Sequence, residues 1–333
     1  MTGGLVFMIE AKPHCSPTIR QPLAGAGCIN RRFVNFISLT TRLLICPLRI
    51  LAVLTVAICS HPRAEANAAE RPVINVFLFA GQSNMAGADA VVTTPPGFEP
   101  TAADHATRLT TAPLPAGEQS PLYLPWGELR AQRSKDQLVH GPEVGFARAL
   151  YAAGWRDVAI IKVYANFSRN APTWPWAEGG SLFHPWMQFI DSRLAELRAQ
   201  GYPIRIGGII WHQGIDDAIH GPLASHYADN LRNLIDLLRL RYGTSTTPFV
   251  LARSVNSSIA RALTGNGDHA PMATVRRAQI TVGASVAAAA WIDVDDLPNV
   301  NTHHFSAANQ LVIGGRFGAA FLKLSQPRAP VPR

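Results

Sequence analysis

The sequence predicts an α/β protein, a three-layer α/β/α sandwich around a central, mainly parallel sheet of five strands. Three observations carry this. Short runs of near-continuous apolar residues recur along the chain from about residue 71. Amphipathic helical stretches separate them. Strands and helices that alternate in this way build a doubly wound sheet covered on both faces.

The five runs are Val73-Ile-Asn-Val-Phe-Leu-Phe-Ala80, Val158-Ala-Ile-Ile-Lys-Val163, Ile206-Gly-Gly-Ile-Ile-Trp211, Pro248-Phe-Val-Leu-Ala252 and Ala289-Ala-Trp-Ile-Asp293. Apolarity that hardly alternates over so few residues suits a parallel strand buried on both sides. Helical periodicity marks 143–153, 185–200, 223–242, 271–284 and 306–324. In the third of these, Tyr227, Leu231, Leu234, Ile235 and Leu238 fall on one stripe. Residues 87–140 break the rhythm. They carry seven prolines and little periodicity, and read as a long substrate-facing loop.

The chain divides into an N-terminal extension with a signal peptide (1–68), a catalytic-type α/β domain (69–326) and a Pro-rich tail (327–333). Arg42 and Arg49 precede the apolar run Ile50–Ile58, which is too short to span a bilayer. Ala64-Glu-Ala66 and Ala66-Asn-Ala68 each satisfy a small-x-small cleavage pattern. The expectation is export to the periplasm or medium, with no stable membrane insertion after cleavage. The net charge of +8 is misleading as a guide to partners. Residues 1–66 hold seven Lys/Arg against two Asp/Glu, so most of the excess leaves with the leader. A nucleic-acid surface is not indicated. Cys15, Cys28, Cys46 and Cys59 all lie in the leader, which removes disulfides, a cysteine nucleophile and thiolate metal sites from the main domain.

Three short blocks could carry chemistry. Gly81-Gln82-Ser83-Asn84-Met85 follows the first strand, where a serine is either a helix N-cap or an exposed nucleophile. Trp211-His212-Gln213-Gly214-Ile215-Asp216-Asp217 follows the third strand, and Gln213 could donate to an oxyanion or brace a turn. His303-His304-Phe305-Ser306 follows the last strand and opens the final helix. All three lie at carboxyl ends of strands, and hence on one rim. His212, His220, His226, His303 and His304 lack the helical spacing with a carboxylate that zinc hydrolases use, so neither a metal nor another cofactor is expected. Trp174 and Trp176, flanking Pro175, are candidates for a sugar-stacking platform or for core.

The ordered set resembles a family. Gly-Gln-Ser-Asn-Met, Gly141-Pro-Glu143-Val-Gly-Phe146, Trp-His-Gln-Gly with a later acid, and His-Phe-Ser-Ala-Ala are similar to the sialate O-acetylesterase and acetylxylan esterase group, carbohydrate esterase family 6, of the SGNH hydrolases. The resemblance covers about 73–324. It implies a serine esterase acting on acetylated carbohydrate, with Ser83 as nucleophile and His304 as base. It implies an oxyanion hole from the Ser83 N–H, a backbone N–H at Asn166 and the Gln213 side chain. Gln82, Trp174 and Trp176 are the expected substrate contacts.

The sequence departs from the family pattern in three places. Asn166-Phe167 stand where paired glycines are usual, and Ile215 where Glu is usual. Asn301 occupies the position of the acid three residues before the base. A neutral amide there predicts a slow esterase whose turnover rises in Asn301→Asp, unless Asp295, Asp296 or Asp216 reaches His304. Two rivals stand beside this reading: a non-catalytic carbohydrate-binding or cell-surface protein with a decayed triad, and a lipase or thioesterase of the same fold.

Overall fold

The computed structural model describes residues 71–92, 99–134, 137–166, 173–219, 221–253 and 270–326. The segment expected to be a leader (with the small-residue pairs at Ala64–Ala68), His220 and the Pro-rich tail lie outside the described residues. None of the described helices is long and apolar enough to cross a membrane.

The elements run β1 (Ile74–Gly81), α1 (Ser83–Ala86), α2 (Ala102–Ala106), β2 (Thr107–Pro113), β3 (Leu124–Glu128), β4 (Gln132–Ser134), β5 (Gln137–Val139) and α3 (Glu143–Ala152). They continue with β6 (Val158–Tyr164), α4 (Phe183–Ala199), β7 (Ile204–His212), α5 (Ile215–Ala218), α6 (Gly221–Tyr242), β8 (Phe249–Arg253), α7 (Ala270–Ser285), β9 (Ala289–Asp293) and α8 (Ala307–Ser325). The central sheet has the order β3-β2-β6-β1-β7-β8-β9. All its pairings are parallel except β2 with β3.

The layers follow from strand alternation. Ile74, Val76, Leu78 and Ala80 face a core built with α4, α6 and α7 residues such as Trp186, Leu231 and Val275. Phe77 and Phe79 face the opposite core, where Phe146 of α3 and Phe317 and Phe321 of α8 pack. Phe77 meets Phe146 and Phe321 edge-on at centroid distances of 5.0 and 4.9 Å.

The sheet has seven strands, not five. The two extra strands, β2 and β3, come from the segment read as a loop. Thr107-Arg-Leu-Thr-Thr-Ala-Pro113 lacks an apolar run, yet Thr110 and Thr111 are fully buried. The Thr110 hydroxyl donates to the Leu124 carbonyl at 2.8 Å, so hydrogen bonding makes burial tolerable where hydrophobicity does not. The β2 segment extends the parallel sheet beyond β6, and β3 closes that edge in antiparallel sense. The five expected strands and five expected helices fall within two residues of their expected bounds, while the short β4, β5, α1, α2 and α5 were not expected.

Strand order reverses at β1: the chain crosses from there to β2 and β6 on one side and to β7, β8 and β9 on the other. Ligand crevices in open α/β sheets form outside the carboxyl ends of strands at such a switch point. Ser83 lies immediately beyond β1.

Candidate active site

Gly81 ends β1 against β7. A Cβ there would sit 2.2 Å from the His212 carbonyl oxygen, so only glycine lets the two strand ends close. The Gln82 N–H donates to that same oxygen at 3.1 Å. The Gln82 side chain then ties the first block to the third. Its Oε1 accepts from the N–H groups of Gly214 and Ile215 at 2.9 and 3.0 Å, and its Nε2 donates to Asp216. Gln82 is therefore a buried joint and not a substrate contact, because both ends of its amide serve the β7 loop. Ser83 follows, half-buried, as the first residue of α1. An N–H at that position has no intrahelical partner.

The turn after Ser83 is tightly held. The Ser83 carbonyl accepts from Gly87 and Ala88. Gly87 has φ 84°, and a Cβ on it would lie 2.3 Å from the His140 carbonyl oxygen. The block at 141–143 supports this turn from below. Glu143 Oε1 accepts from the Gly141 N–H at 3.0 Å and from Lys162 Nζ at 2.7 Å, with both charged side chains fully buried. The turn ends at Asp89, which is exposed and has φ 60°. Among L-residues, Asp and Asn tolerate this left-handed conformation best.

The histidine comes from the opposite side. After β9 the chain folds into a small loop, closed by Val300 N–H to the His304 carbonyl at 2.8 Å. Phe305 anchors it in the core and Ser306 caps α8, accepting from Asn309 N–H. Inside the loop, Asn301 Oδ1 accepts from the N–H groups of His303 and His304 at 3.0 and 2.9 Å. Asn84 Nδ2 donates to the His303 carbonyl at 2.9 Å, and Gln310 Nε2 donates to the Asn84 carbonyl at 3.0 Å. These bonds join the residue after Ser83 to the residue before His304, and so hold the two segments together.

Asp89 reaches His304. Its Oδ2 lies 2.5 Å from Nδ1 of the imidazole and accepts from Asn301 Nδ2 at 2.7 Å. The orientation of the Asn301 amide is fixed, since Oδ1 faces two backbone donors and Nδ2 must then point at the carboxylate. With Asp89 ionised, the hydrogen on His304 sits on Nδ1, facing the carboxylate, and Asn301 Nδ2 lies 3.2 Å from that same nitrogen. That leaves Nε2 with a lone pair; this atom is buried and makes no hydrogen bond. The neighbouring His303 has its pKa pushed down to about 4 by burial, reinforced by the His304 charge, and its Nδ1 pairs with the Thr302 hydroxyl. It is neutral and occupied.

The carboxylates weighed from the sequence are engaged elsewhere. Asp295 is bound by Arg253 and Arg276, Asp296 by Arg316 and Asp216 by Gln82. Asp89 and Asn84 were not among the expected site residues. The available signal for Asp89 was that it is the only carboxylate between Pro72 and Phe98.

Other expected site residues stand as follows. Asn166 is exposed just past β6, next to the end of β1, where the Ala165 N–H donates to the Gly81 carbonyl. Gln213 is 1% exposed and one hydrogen of its amide goes to Asp217 at 2.5 Å. Its backbone carbonyl accepts from Tyr227 and Gln279. The structure thus gives Gln213 a bracing role under the loop, because its polar atoms are drawn into the buried layer. Trp174 and Trp176 are core and not a sugar platform. They are 4% and 0% exposed and pack on Trp211 with centroids at 6.1 and 5.2 Å. His212 is fully buried, and burial lowers its pKa to about 3. Among the described residues no cluster of three His, Cys, Asp or Glu could hold a metal ion.

Comparison with known proteins bears on the family and the fold. A family model described as carbohydrate esterase, sialic acid-specific acetylesterase, matches residues 73–323. Among solved structures, a protein from Arabidopsis thaliana is similar at 19% identity and TM-score 0.56, covering 76% of this chain and 99% of its own. XAC1771, a carbohydrate acetylesterase from Xanthomonas citri, is similar at 19% identity and TM-score 0.53, covering 75% of this chain and 56% of its own. NanS is similar at 16% identity and TM-score 0.50, over 76% of this chain and 98% of its own. At these identities the structures establish a shared fold. No curated protein matches the chain.

Proposed function

This chain belongs to the sialic acid-specific acetylesterase family of carbohydrate esterases, and from that premise we propose that it is an exported serine esterase that removes O-acetyl groups from carbohydrate by Ser83/His304 acyl transfer. Membership makes it a carboxylic ester hydrolase. The observation that carries the mechanism is the contact of Asp89 Oδ2 with His304 Nδ1, which assigns the hydrogen to Nδ1 and leaves Nε2, buried and without a hydrogen bond, as the acceptor.

The reaction proceeds in two halves. His304 Nε2 takes the Ser83 hydroxyl proton as Oγ bonds to the acetyl carbonyl carbon. The oxyanion is met by the Ser83 N–H and by a backbone N–H at Asn166. The carbon–oxygen bond to the sugar breaks, and imidazolium gives its proton to the departing alkoxide. Water then repeats the sequence on the acetyl-enzyme, releasing acetate and restoring both side chains. Only water is consumed besides the ester. Support for export is the short apolar run and the small-residue pairs at Ala64–Ala68. An exposed rim beside a half-buried nucleophile suits an acetyl group presented on a bulky sugar.

The test is acetate release from acetylated glycans and from p-nitrophenyl acetate. Ser83→Ala should lower turnover by about 10⁴-fold or more at unchanged melting temperature. A variant with near-wild-type turnover refutes the assignment.

A further inference from the structure

Acid and base normally come from one loop in the pattern this chain resembles, and here the acid position carries Asn301. We infer that Asp89, from the turn that follows the nucleophile, supplies the carboxylate behind His304, and that Asn301 is the positioning residue that holds the two together. The inference rests on the Ser83/His304 reading above and deepens it.

The argument starts from the hydrogen count. Asn301 Oδ1 is filled by two backbone N–H groups, so its Nδ2 can only donate. The group opposite must accept, and Asp89 Oδ2 does so at 2.7 Å. That same carboxyl lies against His304 Nδ1. An ionised Asp89 therefore receives two N–H donors, one from the amide and one from the imidazole. As Ser83 loses its proton, the imidazole becomes cationic and the charge of Asp89 stabilises it. No proton crosses from His304 to Asp89 in this step. A second line is the backbone. The left-handed φ of Asp89 and the close approach at Gly87 aim the carboxyl back across the rim, and non-glycine residues are held in that region only where the surroundings enforce it. Asn301 is thus the residue that now presents the acid, having itself no charge to offer.

Exchange of the two residues tests this. Asp89→Asn, Asn301→Asp and the double variant are compared for kcat and KM on p-nitrophenyl acetate, for the rate of Ser83 labelling by a fluorophosphonate, and for melting temperature. Asp89→Asn should lower kcat by about 10³–10⁴-fold, as loss of this acid does in serine proteases, with KM nearly unchanged. Asn301→Asp alone should not raise kcat, since two carboxylates would then crowd one imidazole. The double variant, with the charge moved to the other side of Nδ1, should recover at least about 10-fold over Asp89→Asn. Near-wild-type kcat in Asp89→Asn, a change in KM alone, or no recovery in a double variant that melts like wild type would overturn the assignment. A wild type that is labelled at Ser83 yet cleaves no acetyl ester refutes the substrate class instead, and the labelling rates still decide for or against Asp89.

Discussion

Asp89 sits in the turn after α1 and Asp217 in the short helix α5 after β7, and each accepts a hydrogen from a neighbouring amide, Asn301 in one case and Gln213 in the other. They end in opposite states. The Asp89 side chain is 52% exposed and faces a histidine whose second nitrogen is buried without a hydrogen bond. Asp217 is 0% exposed, lies under Trp174 and Tyr227, and burial pushes its pKa up to about 7. The turn after β1 keeps its charge in water, where it costs little to maintain and can act on a cation formed nearby. The turn after β7 takes its carboxyl into the core, where only hydrogen bonds make it tolerable. Access to solvent, and not residue type, separates the two carboxyls.

The largest expected effect is on the buried side. Trp174 packs on Trp211 and Tyr227 at 6.1 Å each and contributes to the roof over Asp217. Trp174→Ala should cost about 3–5 kcal/mol of folding stability, the usual range for a buried aromatic. Denaturant unfolding checks this. A variant that kept its stability but lost affinity for substrate would return Trp174 to the role of a binding platform and break the contrast drawn here.

The same contrast explains how much the sequence reveals. Strands covered on both faces, such as Val158–Tyr164, leave an apolar run that is hard to misread. The Thr107–Pro113 strand leaves none, because threonines stand at its buried positions, and the Thr107 and Thr110 hydroxyls are satisfied by backbone carbonyls. Ser83 and His304 stand out because the short blocks that carry them resemble a family pattern, position alone leaving Ser83 open between a helix cap and a nucleophile. Asp89 does not, since its partner is 215 residues distant and nothing local to either residue records the meeting. Gln82, Gln213, Trp174 and Trp176 were visible as chemistry-bearing types, but residue type does not say which way a side chain faces, and all four face inward.

A smaller effect is expected where the Asp217 charge is removed. In the unfolded chain this carboxyl has a pKa near 3.8, and in the folded protein about 7. Below the lower value it is protonated in both states and costs nothing. As pH rises towards 7 the unfolded chain ionises first, so stability falls; above 7 both states are ionised and the penalty is constant. Asp217→Asn keeps an oxygen for Gln213 and escapes the penalty. It should therefore stabilise the protein at pH 8 by on the order of 2–4 kcal/mol and hardly at all at pH 4. Melting curves at both pH values decide it. An equal shift at the two would show that Asp217 ionises as freely as in the unfolded chain.

The smallest effect is expected from the matching change on the exposed side. Asp89→Asn removes one charge, as Asp217→Asn does, and keeps an oxygen that can still accept from Asn301. Asn also tolerates the left-handed backbone that Asp89 adopts, so the turn loses nothing in conformation. What remains is the contact with His304 Nδ1, where the Asp89 side chain is 52% exposed and solvent screens its charge. Stability should change by less than about 0.5 kcal/mol, while turnover falls by the factor argued above. The two substitutions would then form a mirrored set, one moving stability and sparing the reacting groups, the other stopping the reaction and sparing the fold. A loss of several kcal/mol in Asp89→Asn would mean that the β1 turn depends on this charge for its structure, and its effect on turnover would then report folding as much as chemistry.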